Sequence, residues 1–68
     1  MKIFCERLKE LRLERNISTI KLATAIGVSN SIISRWENGL RVPSIDHLYN
    51  IAKYFGVTSD YLIGLTDY

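Results

Sequence analysis

Four polar residues lie close together near the middle of the chain: Asn30, Ser31, Ser34 and Arg35. On a helix, side chains that are three or four residues apart share one face, so this spacing predicts a continuous polar edge. Such side chains hydrogen-bond the edges of bases in the DNA major groove. Arg suits guanine, because its guanidinium can grip O6 and N7 together, and Asn suits adenine. We therefore predict that these four residues contact bases.

Each of the four residues also has a simpler explanation. Arg35 could be an ordinary solvated side chain or could contact only phosphate. Asn30 follows a serine at the predicted start of a helix, where asparagine is common for structural reasons. Ser31 and Ser34 are short enough to contact a base edge, a phosphate or only water.

A helix-turn-helix is the element that would present this edge. Ala23, Gly27 and Ile33 stand at the spacing that two closely crossing helices require. A small residue lets the second helix approach the first, a glycine takes the positive φ that ends a helix, and an isoleucine fills the angle between them. Residues 19 to 39 therefore predict two short helices, of which the second carries the polar edge.

Start and stop residues divide the whole chain into five predicted helices and no strand, an all-α, compact five-helix bundle in one domain over residues 1–68. The first covers about residues 3 to 15 and closes at Asn16, which tolerates positive φ. Ser18, Ser29, Ser44, and Thr58 or Ser59 are predicted N-caps of the others, and Gly27, Gly39, Gly56 and Gly64 are their predicted ends. Ile45, Leu48, Ile51, Ala52 and Phe55 are expected to form the inward stripe of the fourth helix.

Composition and charge exclude several classes of protein. One cysteine and one histidine in 68 residues cannot build an internal disulfide or a four-ligand zinc site, and no residues suggest a cofactor or small-molecule ligand. No run approaches the roughly 18 apolar residues of a membrane span, so we expect a cytoplasmic protein. Nor do Cys5 and His47 come with the oxyanion donor and cleft that a thiol enzyme needs, so we predict no catalysis.

The charge is unevenly distributed. Residues 1 to 41 hold eight Lys and Arg against four Asp and Glu, a balance of +4, whereas residues 42 to 68 hold one against three, a balance of −2. The basic part contains the predicted polar edge, which favours a nucleic acid as partner.

The last third of the chain is rich in large apolar side chains. They are Tyr49, Tyr54, Tyr61, Leu62, Ile63, Leu65 and Tyr68. Either these residues complete the core of the monomer or some of them form a twofold interface. We expect a homodimer, because two recognition helices about 34 Å apart would match successive turns of the groove.

Five ordered blocks of residues are similar to the Cro/cI-type (XRE-like) family of phage repressors and bacterial helix-turn-helix regulators. They are Arg7–Arg12, Ile26–Ser29, Ile33–Gly39, Pro43–Ser44 and Gly56–Leu62. The resemblance covers roughly residues 3 to 65 and implies a lambda-repressor-like five-helix domain that binds operator DNA, usually as a dimer.

The same resemblance implies roles for individual residues. Base-contacting positions of the family fall on Asn30, Ser31 and Arg35, and a helix 1 arginine and its glutamate partner, close to the phosphates, fall on Arg12 and Glu37. The full set of expected phosphate contacts is Arg12, Thr19, Ser29, Trp36, Asn38 and Arg41. Trp36 enters it because we expect the indole to be half-buried, with its nitrogen free at the surface, although a purely structural role is the simpler explanation.

Two positions depart from the family pattern. Thr19 stands where glutamine is usual, and Leu40 stands where lysine is common. Thr19 can still donate a hydroxyl to a phosphate, but Leu40 cannot, so we expect affinity to depend more on dimerisation and on helix N-termini facing phosphates.

The sequence therefore predicts a sequence-specific DNA-binding transcriptional regulator, most simply a repressor that binds a palindromic operator as a dimer and excludes polymerase. Two alternatives stay open. The chain could be an antitoxin or anti-repressor whose main partner is another protein, or a binder of DNA without sequence preference.

Overall fold

The computed structural model describes all residues from Met1 to Tyr68 and contains five helices. They are α1 (Lys2–Glu14), α2 (Thr19–Ile26), α3 (Asn30–Glu37), α4 (Ile45–Phe55) and α5 (Ser59–Leu62). No strand is present, so the predicted all-α fold is confirmed. Every predicted helix is found within a residue or two of its expected ends.

Short polar side chains begin four of the helices. The side chains of Ser18, Ser29, Ser44 and Thr58 each accept a hydrogen bond from the backbone N–H three residues further on. Each cap satisfies one of the amide groups that a helix start leaves without a partner, which explains why the helices begin where the sequence predicts.

Residues with positive φ end the helices. Gly27 closes α2 with φ of 77°, and its backbone N–H donates to the carbonyl of Ala23. Asn16, after α1, is the one non-glycine residue with positive φ, at 57°. Both positions were predicted from residue type, since glycine and asparagine enter this region most readily.

One hydrophobic core joins the five helices. Its buried members are Phe4, Leu8, Leu11, Leu22, Ala23, Ile33, Trp36, Ile51, Ala52, Phe55 and Leu62. Ala23 on α2 and Ile33 on α3 are both buried, as the helix-turn-helix spacing predicts, and α3 packs against both α2 and α1. Contacts with two helices fix the orientation of α3, which leaves its polar edge in a defined position.

The prediction for Ile45 was wrong. We expected this residue in the inward stripe of α4, but its side chain is 86% exposed. α4 packs against α2 and α5, and Ile45, in its first turn, lies at the edge of an open groove lined also by Leu48, Tyr49 and Val57. Periodicity placed it on the correct face, but no element covers that end of the face.

Two arginines tie distant segments together. Arg15 donates to the carbonyl of Phe55 at 2.7 Å, and Arg7 donates to the carbonyls of Tyr61 and, at 2.6 Å, Thr66. The Arg7 guanidinium also lies over the Tyr61 ring, 4.3 Å from its centroid. These bonds hold the end of α4 and the C-terminal segment against α1. No pattern in the sequence predicted either contact.

None of the five helices combines the length and the apolar character that crossing a membrane would require.

Candidate nucleic-acid interface

The polar edge of α3 lies on the surface of the domain. Asn30, Ser31, Ser34 and Arg35 are all exposed. The opposite face of the helix carries Ile33 and Trp36, which are buried in the core. Burial of one face therefore turns the other toward solvent, with the four predicted base-contacting residues along it.

The four side chains differ in how far they are already engaged. Arg35 and Asn30 make no side-chain hydrogen bond or ion pair within the chain. The hydroxyls of Ser29 and Ser31 lie 3.1 Å apart, and either can donate to the other. The Asn38 amide donates to the hydroxyl of Ser34 at 3.3 Å. The guanidinium of Arg35 and the amide of Asn30 thus keep their full hydrogen-bonding capacity for a ligand.

The candidate phosphate contacts lie on α2, at both ends of α3 and in the loop that follows it. Ser29 caps α3, Thr19 is the half-buried first residue of α2, and Arg41 is exposed in the loop that follows α3. Arg41 has no intramolecular ion pair. Asn38 uses its side-chain nitrogen within the chain, donating at 2.8 Å to the carbonyl of Ser34. Arg41 is the one cation among these residues, and its charge is unpaired within the chain.

Arg12 and Glu37 form a nearly buried, two-point ion pair between α1 and α3. Arg12 Nε donates to Glu37 Oε2 at 2.6 Å and Nη2 donates to Oε1 at 3.0 Å, while Nη1 donates to the carbonyl of Ile17 at 3.0 Å. The side chains are only 13% and 7% exposed. Glu37 therefore fixes the position of the Arg12 guanidinium between the two helices, and the pair is more enclosed than an ordinary surface ion pair.

The environment of Arg12 favours the charged form of its guanidinium. Hydrogen bonding to Glu37 raises the pKa of the Arg12 guanidinium, partial burial opposes this, and the charge of the carboxylate adds to the increase. Three of the five guanidinium N–H groups are used inside the domain. At most two therefore remain for a phosphate.

The expected exposure of Trp36 was wrong. Its side chain is 1% exposed, and its Nε1 is buried with no hydrogen-bond partner. The ring packs edge-on to Phe4, with centroids 6.4 Å apart, and against the ring of His47 at 5.4 Å. His47 thus covers part of the indole. A phosphate cannot reach Nε1 in this arrangement, so Trp36 leaves the set of candidate contacts.

The charge around the candidate interface is positive. From residue 18 to residue 42 the cations are Lys21, Arg35 and Arg41, and the one acid is Glu37. Because the Glu37 carboxylate is paired with Arg12, it adds little negative field at the surface. No group of three or more His, Cys, Asp or Glu side chains is placed to hold a metal ion.

Comparison with known proteins agrees with this geometry. The helix-turn-helix family model HTH_3 matches residues 8–62, so the chain belongs to the helix-turn-helix family of Cro/cI (XRE-like) type. The transcriptional activator BcrR of Enterococcus faecalis is 40% identical over 60 residues, which are 88% of this chain and 29% of that protein.

Two solved structures share the fold. One is the P22 c2 repressor in complex with a synthetic operator, with a TM-score of 0.85 and 31% identity over 91% of this chain and 94% of that one. The other is the N-terminal DNA-binding domain of SinR from Bacillus subtilis, with a TM-score of 0.85 and 30% identity over 93% of each chain.

The curated relatives are longer proteins. The chain spans 29% to 58% of their lengths. The similarity therefore concerns the helix-turn-helix domain itself.

Proposed function

We propose that this protein is a sequence-specific DNA-binding regulator of transcription that inserts α3 into the major groove. The main support for the proposal is the exposed edge of α3. Along it lie, in one strip, Asn30, Ser31, Ser34 and Arg35, while the opposite face of the helix is buried in the core. An α-helix with its side chains is about 10 to 12 Å across, which matches a major groove about 12 Å wide.

In this proposal the residues around α3 hold the domain on the DNA backbone. Arg41, Thr19, Ser29 and the remaining N–H groups of Arg12 contact phosphates. Such contacts set the register of α3 and make binding sensitive to salt, while the base contacts supply the discrimination between sequences.

The regulator acts most simply as a repressor that excludes polymerase from a palindromic operator. The likeness to the P22 c2 repressor, which was solved with a synthetic operator, supports this choice. BcrR, which is also similar, is named as an activator, so the experiment has to distinguish repression from activation. A reporter gene distinguishes repression from activation, when its promoter carries a site selected from a random pool of duplexes. Repression lowers reporter expression when the protein is induced.

A homodimer is part of the proposal. Ile45 and Tyr49 are exposed on α4 and line an open groove of about 500 Å³ between α4 and α5. Lys53 lies in the same groove, and the acids Asp46 and Asp60 flank its lining residues in sequence. A second copy related by a twofold axis would bury the apolar residues and could set cations against acids.

Selection of bound duplexes from a random pool tests the function. We expect one motif with twofold symmetry and with half-sites about 10 base pairs apart, centre to centre. Binding without any enriched motif would replace the proposal with a sequence-independent DNA binder.

A protein-interaction module is the second candidate, and the exposed apolar groove beside α4 is the observation that favours it. The two candidates differ in a simple titration. The regulator should bind a random duplex at low salt through its basic face, whereas a module of this second kind, such as an antitoxin or anti-repressor, need not respond to DNA at all.

A further inference from the structure

Ser34 has the one hydroxyl of the helix-turn-helix that accepts a hydrogen bond from a side-chain amide, whereas the capping hydroxyls of Ser18 and Ser29 accept from backbone N–H groups. Its Oγ accepts a hydrogen bond from Asn38 Nδ2 at 3.3 Å, and this is the one side-chain hydrogen bond that Ser34 makes. Thr24, on α2, behaves in the opposite way, because its hydroxyl donates to the carbonyl of Ile20 at 3.0 Å. The proton of Thr24 is therefore engaged within its helix, and the proton of Ser34 is free.

The orientation of the Asn38 amide follows from its neighbours. The same nitrogen that contacts the Ser34 hydroxyl also lies 2.8 Å from the Ser34 carbonyl oxygen. A carbonyl can only accept a hydrogen bond, so the atom facing it must be the amide nitrogen and not the amide oxygen. Asn38 thus presents donors to both oxygens of Ser34.

A hydroxyl has one proton and two lone pairs. At Ser34 one lone pair is occupied by Asn38, and accepting that bond makes the hydroxyl a better donor. The neighbouring Arg35 has only donors. Ser34 and Arg35 are therefore two consecutive residues that can donate hydrogen bonds to a ligand. Ser29 and Ser31 differ, because either hydroxyl can be the donor in the bond they share, so neither is fixed as a donor toward a ligand.

We infer that Asn38 positions the Ser34 proton toward DNA, so that Ser34 and Arg35 together select base edges that carry hydrogen-bond acceptors. This inference rests on the proposed entry of α3 into the major groove. Guanine and thymine present acceptors there without an exocyclic amine, whereas cytosine presents only its N4 donor. The position that Ser34 contacts should favour guanine or thymine and disfavour cytosine most strongly.

The substitution Asn38→Asp tests the inference, because it replaces the amide donors with a carboxylate that can only accept. The Ser34 proton would then turn toward residue 38 and leave lone pairs facing the base. Site selection should show the preference at one position of each half-site shift by about two- to tenfold toward cytosine or adenine. The added negative charge weakens binding to every sequence alike, so it cancels in a ratio of affinities.

Two further variants make the result specific to the Ser34 hydroxyl. Ser34→Ala should flatten the preference at that same position, and in Ser34→Ala/Asn38→Asp the shift should disappear. Thr24→Ala is the matched control and should leave the selected motif unchanged. A shift that persists in the double variant would mean that residue 38 contacts the base itself, which overturns the inference.

Base analogues provide a readout that does not depend on the folding of Asn38→Asp. In the selected site, 7-deazapurines remove N7 and 5-methyl-2-pyrimidinone removes the O4 of thymine. At one position the analogue should weaken wild-type binding about two- to tenfold and leave Ser34→Ala unaffected. Equal losses for both proteins at every position would show that Ser34 donates only to phosphate or water, and the inference would be wrong.

The outcomes separate the inference from the proposed function. If the wild-type protein selects a motif that neither Asn38→Asp nor Ser34→Ala alters, the regulator stands and only the role of Asn38 and Ser34 is lost. If the wild-type protein selects no motif, both are contradicted.

Discussion

Arg35 and Arg12 both lie on helices near the candidate interface, yet their guanidinium groups are used differently. Arg12 is fixed by Glu37 and by the carbonyl of Ile17, whereas Arg35 has no partner within the chain. The residue type alone predicts a cation at each position. Only the packing of α1 against α3 distinguishes a guanidinium that joins two helices from one that is free to bind a base.

Replacing Arg35 with Ala should relax sequence preference. A two-point contact with guanine contributes about 1 to 3 kcal/mol of discrimination, so Arg35→Ala should lose about that difference at one base pair of each half-site. Competition between the selected site and its single-base variants measures this loss. Arg41→Ala is the control: we expect equal weakening on all sequences and a salt slope reduced by about 0.9. If Arg35→Ala behaved like Arg41→Ala, Arg35 would be a phosphate contact.

Replacing Arg12 with Met should destabilise the domain. The Glu37 carboxylate, 7% exposed, would lose its partner, and breaking a buried pair from one side costs about 3 kcal/mol. Urea unfolding followed by circular dichroism gives the free energy. In Arg12→Met/Glu37→Leu much of the loss should be recovered, because no unpaired charge remains. A loss below about 0.5 kcal/mol for Arg12→Met would instead indicate an ordinary surface ion pair.

The ends of the helices could be predicted mostly from local chemistry. Caps and stops such as Ser18, Ser29 and Gly27 determine where helices begin and end, and these depend on a few neighbouring residues. The burial of Trp36 and the exposure of Ile45 depend on which helix packs where. Periodicity assigns a face but not the element that covers it, so both were missed.

The glycines that follow helices test the difference between a local backbone effect and a tertiary contact. At Gly27, with φ of 77°, an added Cβ would meet nothing within 4 Å, so Gly27→Ala should cost only the backbone strain, about 1 kcal/mol. At Gly64, with φ of 88°, the Cβ would lie 3.0 Å from Cγ1 of Ile3, and Gly64→Ala should cost more. Thermal unfolding compares the two variants. In an Ile3→Ala background the difference should vanish, and its persistence would contradict a steric origin.

For the whole molecule, we expect a small free energy of unfolding, because a chain of 68 residues has only eleven buried side chains. The long-range bonds of Arg7 and Arg15 add constraints that no local pattern predicted, since their acceptors are backbone carbonyls 40 to 59 residues away. Every residue has a backbone carbonyl, so residue type does not indicate which carbonyl accepts a given hydrogen bond. Tertiary contacts of this kind had to come from the structure.

Association through the groove beside α4 should also be measurable. Tyr49→Arg places a charge on the apolar lining and, in the twofold arrangement proposed here, should weaken the dimer at least tenfold. Sedimentation equilibrium gives the constant. Tyr68→Arg, at an exposed position that does not line the groove, is the matched control and should have little effect. A dimer unaffected by Tyr49→Arg would place the twofold interface elsewhere.

Backbone amide NMR shifts, measured during titration with the selected duplex, show whether DNA binds the domain along α3. We predict that the largest changes fall between residues 29 and 41, with smaller ones at the start of α2 around Thr19. Changes concentrated instead on the α4–α5 groove, with α3 unperturbed, would show that α3 does not enter the major groove.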